Sequence, residues 1–268
     1  WDNQWYIEYS GTSMAAPNAA GASLLIREYL MEVAGRPSPQ GALIKGMLIL
    51  GAEDEGTRDI PNMNEGWGRV NLANSLIPGT DTGVWVDDRN TVRSGQTREY
   101  EFNLSRGNTP FKAVLTWSDY PGSTFSNIQL QNDLDMVVIS PDGTTYKGND
   151  FSNGRSTTGG DADDINNVEV VLIDQAAAGV WTVRITDVAH GGQRSDQPFA
   201  LAVRGAGVND LRSDPVPIAS SFQLSTAIPQ VNEECQFSIQ IENQGGGSAD
   251  GLLIEAIAGT QNLGTVEL

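Results

Sequence analysis

The sequence predicts an α/β segment followed by an all-β domain and then part of a second β-sandwich. Three observations carry this. Helical periodicity is confined to residues 1–79, short alternating runs broken by Gly, Asn, Asp and Pro fill residues 80–205, and a proline-containing passage opens a further β-rich piece over 206–268. The last piece has room for three or four strands, too few for a sandwich of about 100 residues, so the sequence reads as cut at both ends.

Two helices are expected in the first segment. One starts near Ser13, with Pro17 in an opening turn where a missing N–H costs little. It sets Ala16, Ala20 and Leu24 on one face with Ala19, Ser23 and Ile26 beside it, its many Ala and Gly residues point to close burial, and Gly35-Arg36-Pro37 ends it. The second is expected to open with Ser38 as N-cap and Pro39 at the first helical position, and to stop at Gly51. Leu72 to Leu76 forms a short apolar segment after Trp67, an expected packing anchor.

Strands are expected at Gly83–Val86, Arg98–Leu104, Lys112–Trp117, Leu134–Ser140, Val168–Leu172, Val180–Thr186 and Phe199–Arg204, the alternation of a sandwich or jelly roll. Pro141-Asp142-Gly143 marks a tight turn. Gly205 to Ile218 reads as a linker, and strands near Gln236–Asn243 and Leu252–Ala258 follow it.

Composition excludes several classes. A net charge of −18, with three lysines among sixteen basic residues, repels nucleic acid and anionic membranes. The apolar runs are too short for a membrane span. One cysteine, Cys235, allows no intrachain disulfide, and Trp1-Asp2-Asn3-Gln4-Trp5 has neither an initiator Met nor signal-peptide character.

Chemistry points to Gly11-Thr12-Ser13-Met14-Ala15-Ala16-Pro17, a serine set at the start of a helix. A nucleophile elbow would place Ser13 after a strand such as Trp5–Tyr9, but the chain downstream lacks the repeating strands and helices of that fold. The seven-residue string, with the small-residue helix after it, resembles the serine motif of subtilisin-like serine proteases. Asn64-Glu65-Gly66-Trp67-Gly68-Arg69-Val70-Asn71 is similar to the segment that closes the catalytic domain in the subgroup with an appended jelly roll.

The resemblance implies that Ser13 is the acylating nucleophile and that its backbone N–H is one oxyanion-hole donor. It implies a triad in the order Asp, His, Ser, so the Asp, the His and the oxyanion asparagine would precede residue 1. This chain alone is then expected to be inactive, with the N-terminal remainder of the catalytic domain as its partner and a polypeptide as substrate. His190 stands in the wrong order for a triad base and reads as a loop histidine. Asn18 stands where many family members carry His, outside the triad. The fold that follows is an α/β remnant of a subtilisin-like catalytic domain, then an all-β jelly roll and a partial immunoglobulin-like β-sandwich. The competing class is a non-catalytic extracellular adhesion or binding module.

Asp133 and Asp135 lie two apart on an expected strand and so share a face. Asp150 and the loop Asp161-Ala162-Asp163-Asp164-Ile165-Asn166-Asn167 add the hard oxygen donors that Ca²⁺ prefers. Solvated acidic turns read equally from these residues. The run Thr116–Asp119, Asn132–Asp135 and Gly148–Phe151 resembles the jelly roll of that subtilase subgroup, where calcium is a common stabiliser, and this implies structural Ca²⁺ on Asp133, Asp135, Asp150 and Asp164. Asn209-Asp210-Leu211 and Ile241–Gly245 resemble immunoglobulin-like adhesion modules of the CARDB type. Together these resemblances imply a secreted protein.

Overall fold

The computed structural model describes residues 9–191 apart from 78 and 80, residues 196–208, and four strands beyond residue 214. Three helices come first: α1 (Thr12–Glu32), α2 (Gly41–Gly51) and α3 (Leu72–Leu76). The strands of the first unit are β1 (Thr82–Asp87), β2 (Thr91–Val92), β3 (Thr97–Leu104), β4 (Thr109–Trp117), β5 (Asn132–Ile139), β6 (Thr145–Lys147), β7 (Phe151–Ser152), β8 (Arg155–Ser156), β9 (Val168–Ala176), β10 (Gly179–His190) and β11 (Gln197–Ala206). The second unit holds β12 (Pro215–Leu224), β13 (Phe237–Asn243), β14 (Leu253–Ala258) and β15 (Gln261–Glu267). The chain divides into two compact units at Val208/Asn209, so helices and sandwich belong to one unit.

Two antiparallel sheets form the sandwich, one in the order β1-β11-β4-β9 with β2 on β11, the other β3-β10-β5-β6. Side chains alternate across each strand, and the inward set packs into one core. Phe111, Leu115 and Trp117 of β4 and Phe199, Leu201 and Val203 of β11 meet Tyr100, Phe102, Leu134, Met136, Trp181 and Val183 of the other sheet. Aromatic pairs cross between the sheets: Phe111 stacks on Trp181 at 5.0 Å and Trp85 meets Phe102 edge-on at 5.0 Å. Buried Trp117 keeps its indole donor satisfied by the Asn132 carbonyl at 3.0 Å.

The outer face of β4 and β11 is apolar too. Val114, Ala200 and Ala202 pack against Leu43, Met47 and Leu50 of α2, with Ile26 and Leu30 of α1 beside them. Glycine lets α2 settle this closely. A Cβ at Gly46 would stand 3.1 Å from Thr116 Oγ1, and one at Gly51 only 2.1 Å from Ser75 Oγ and 2.3 Å from the Asn71 carbonyl. Lys112, on the same outer face of β4, sends its buried Nζ to the Ile49 carbonyl at 2.5 Å and the Ala52 carbonyl at 3.4 Å, satisfying the open end of α2.

Several expectations are corrected. α2 begins at Gly41 with Gln40 as N-cap and no side-chain cap, so Ser38 does not cap it. Asp88 takes over this end: its carboxylate accepts from the Gln40 N–H at 2.8 Å and pairs with Arg36 at 2.5 Å, while Arg36 also bonds the Val86 carbonyl at 2.6 Å. In α1 the expected face of Ala16, Ala20 and Leu24 is exposed, and Ala22, Ile26 and Leu30 are buried instead, because only that stripe meets α2 and the sheet. The passage read as a linker runs into β12, whose two prolines, Pro215 and Pro217, pair with Asn243 and Ile241. Prolines two apart keep to one side of a strand, which a two-stranded sheet tolerates. Residues 1–8, with most of the proposed strand Trp5–Tyr9, and Cys235 lie outside the described residues.

Gly51→Ala is expected to destabilise the first unit by about 1–3 kcal/mol through overpacking against Ser75 and Asn71, read from the urea midpoint. A second expectation concerns pH. Burial first, then Arg204 and Arg155 against the pull of Asp54, push Lys112 down to about 7 from 10.5. The unfolded chain therefore takes up this proton as pH falls from about 10.5, the folded chain only near 7, and the penalty is constant below that. Stability should rise between pH 7 and 10 by on the order of 3–5 kcal/mol from this group, and Lys112→Met should remove that slope in urea titrations at each pH.

Candidate functional site

Ser13 is the second residue of α1. The N-cap is Gly11, at φ 144° and ψ 170°, a conformation open to glycine. No side chain caps the helix, so Ser13 is not there as a capping residue. Met14 and Ala15 give their N–H groups to the Gly11 carbonyl at 3.0 and 3.1 Å. Among the described residues the Ser13 N–H has no acceptor, as expected of a first-turn amide, and its side chain is exposed. A hydroxyl and a free amide at the positive end of a 21-residue helix make a place where negative charge is stabilised.

Ser13 itself does not line the groove that runs along the first turns of α1. Ala15, Ala16, Ala19 and Gly21 of α1 face Gly68 and Val70 across an open groove of about 940 Å³. Pro17 lacks the amide that the Ser13 carbonyl would otherwise accept, and Asn18 Nδ2 bonds the Met14 carbonyl at 2.9 Å. Trp67, half-buried, anchors the segment after α2 by an edge contact to Phe151 at 5.9 Å. His190 does not sit in a turn. It pairs with Asn132 near the end of β10, and its side chain lies outside the described residues.

The second candidate site is acidic. Asp133 and Asp135 share the outer face of β5, and Oδ1 of each is buried without a hydrogen-bond partner. Burial first, then Asp135, Asp164, Asp163 and Asp187, push the Asp133 carboxyl up to about 6. Asp135 is raised mainly by burial, with Asp163 and Asp164 adding and Lys147 opposing. Burial also raises Asp163, but hydrogen bonds from Asn149 and Asn166 outweigh it and hold that carboxyl low. Glu169 is pushed well up by burial, against a hydrogen bond from the Met136 N–H and with Asp135, Asp163 and Asp133 adding.

Asp133, Asp135 and Asp164 of the sequence reading thus repel one another and Asp163 and Glu169 electrostatically, although among the described residues no three of these five bring their oxygens within 4.8 Å of one another. Asp150 Oδ2 accepts from the Gly160 N–H at 2.9 Å. Glu169 was missed, although its signal was in the sequence, one carboxylate inside the apolar run Val168-Glu169-Val170-Val171-Leu172. Asp133 Oδ1 and Asp135 Oδ1, buried without donors beside other carboxylates, have the chemistry a hard divalent cation completes. A third acidic group, Asp54, Asp59 and Glu65, has oxygens within 4.8 Å of one another. There Asn62 Nδ2 bridges Asp59 and Glu65 at 2.8 and 3.0 Å, while both Asp54 oxygens are buried without a hydrogen-bond partner and Arg155 lies 3.5 Å away.

Residues 1–68 match the model of the subtilase family, Peptidase_S8. The match covers the serine and the Gly66–Gly68 turn and stops where the sandwich has yet to begin. Two Dictyostelium discoideum proteins described as serine protease/ABC transporter B family proteins, tagA and tagB, are each 25% identical to this chain, over 78% and 88% of it. This chain spans only 13% and 15% of their lengths. A crystal structure from Sulfurospirillum deleyianum aligns with 47% of this chain and 97% of its own, at 9% identity and a TM-score of 0.25. The subtilase-matching segment and the protease-named relatives mark the chain as protease-related.

Proposed function

We propose that this chain is the C-terminal portion of a secreted, subtilisin-like serine endopeptidase that cleaves peptide bonds through an acyl-enzyme on Ser13. The observation that carries this is Ser13 itself: exposed at a helix N-terminus, with no capping task and a backbone N–H without an acceptor among the described residues, inside the segment that matches the subtilase family. Ser13 Oγ attacks the scissile carbonyl and its proton passes to a histidine supplied, with its orienting Asp, from outside these residues. The Ser13 N–H donates to the developing oxyanion, the C–N bond breaks as the amine leaves with the proton the histidine took, and water then hydrolyses the acyl-serine to restore the hydroxyl. Without that base the hydroxyl remains a weak nucleophile, so this chain alone should be inactive.

A fluorophosphonate probe should label the full protein and fail to label Ser13→Ala, whereas labelling that survives the substitution would refute the assignment. We further propose that the β5 cluster binds structural calcium, with Asp133 and Asp135 as ligands and Asp164, Asp163 or Glu169 completing the set. Calcium bound only to the folded state raises the thermal midpoint, so adding Ca²⁺ should raise it and EDTA should reverse the rise. Asp133→Asn should lose most of that increment. An identical midpoint in Ca²⁺ and EDTA would rule the site out.

A further inference from the structure

The chain after α2 folds back on itself through two bridged pairs, Glu53 with Arg69 and Asn62 with Gly66. Within this fold Asp54, Asp59 and Glu65 each present an oxygen within 4.8 Å of the other two. Two of the three carboxylates have protein partners. Asn62 Nδ2 donates to Asp59 Oδ1 and Glu65 Oε1, and Glu65 Oε2 accepts from the Glu55 N–H at 3.1 Å.

Asp54 has no such partner. Its side chain is only 11% exposed, and both of its oxygens are buried without a hydrogen bond. Arg155 does not fill the gap. It stands 3.5 Å from Asp54, with its Nε committed to Asp174 at 2.5 Å and its Nη1 to the Gly154 carbonyl at 2.6 Å. The cover comes from the turn between β7 and β8. A Cβ at Gly154 would stand 3.2 Å from Asp54 Oδ2 and 2.9 Å from the backbone of Arg58 and Asp59. Water is thus kept from the Asp54 carboxylate and no donor replaces it, which is costly for a buried charge.

A cation supplies what is missing. Oxygens this close can share one calcium ion, which holds each ligand at about 2.3–2.6 Å. That is nearer than a hydrogen-bonded water oxygen, so an oxygen closed to water can still meet an ion. Asp59 is exposed, which gives the ion a way in and leaves room for waters to complete its coordination. A divalent ion together with Arg155 balances the three carboxylates. With no nitrogen or sulfur ligand in the group, the donor set suits a hard cation. We propose that Asp54, Asp59 and Glu65 form a second calcium site, which ties Asp54 to the returning arm of the segment after α2. The proposal depends neither on Ser13 nor on the acidic face of β5.

Calorimetric titration with CaCl2 of the full protein carrying Asp133→Asn and Asp135→Asn tests it, since those changes remove the β5 ligands. One saturable site should remain. Adding Asp59→Asn, at an exposed position, should weaken it by at least about tenfold, and Glu65→Gln should do the same. Asp54→Asn should abolish it in a variant that still melts cooperatively; if that variant fails to fold, Asp59→Asn decides. No saturable heat up to about 10 mM CaCl2, well above the dissociation constants of weak extracellular calcium sites, would overturn the proposal. So would equal affinity with and without Asp59→Asn.

Discussion

The burial of β4 and β11 on both faces is the constraint from which the rest of the first unit follows. Their inward side chains, Phe111, Leu115, Trp117, Phe199, Leu201 and Val203, complete the core between the sheets. Their outward ones, Val114, Ala200 and Ala202, are apolar as well and need a cover, which α2 and the buried stripe of α1 supply. The helical segment and the sandwich therefore share a sheet. Lys112 shows the cost of that arrangement, because a cation on the covered face is tolerated only where two helix-end carbonyls meet it.

The serine site is an indirect product of the same layer. α1 is held at its C-terminal half by Ile26 and Leu30, and the turn after it by the Arg36–Asp88 pair, so the helix is fixed at one end and projects the other. The other end carries Ser13, whose amide has no acceptor among the described residues, and an open groove runs along the turns that follow. The acidic cluster uses the opposite sheet. Strand alternation that buries Leu134, Met136 and Val138 turns Asp133 and Asp135 outward, onto the side where Glu169 and the Asp163 loop converge.

Much of this was legible because it is local. Period-two alternation located the main strands within a few residues, since each has one face to bury. The Gly11–Pro17 string was readable as a serine at the start of a helix because glycine before the helix and small residues within it are demands of backbone geometry. Two short hairpin strands, β7 and β8, and the pairs β2 and β6 were not legible, because two or three residues carry no period. Ser38 looked like a cap from its position, but the helix start was decided by Asp88, far along the chain. The buried face of α1 was misread for a related reason: its apolar residues run round much of the helix, so periodicity could not say which stripe meets a neighbour.

The sequence by itself determined the order of helices and strands, the helix-borne serine and the supply of carboxylates, because backbone propensity, side-chain period and reactive groups are properties of short segments. Only the tertiary structure decided which carboxylates feel one another, coupling Glu169 and Asp163 to Asp133 and Asp135. It alone decided that helices and sandwich form one unit, and that Asp54, buried without a hydrogen bond, lies beside Asp59 and Glu65. Those outcomes depend on which faces are covered and which charges are left without water, and burial is settled by residues distant in sequence.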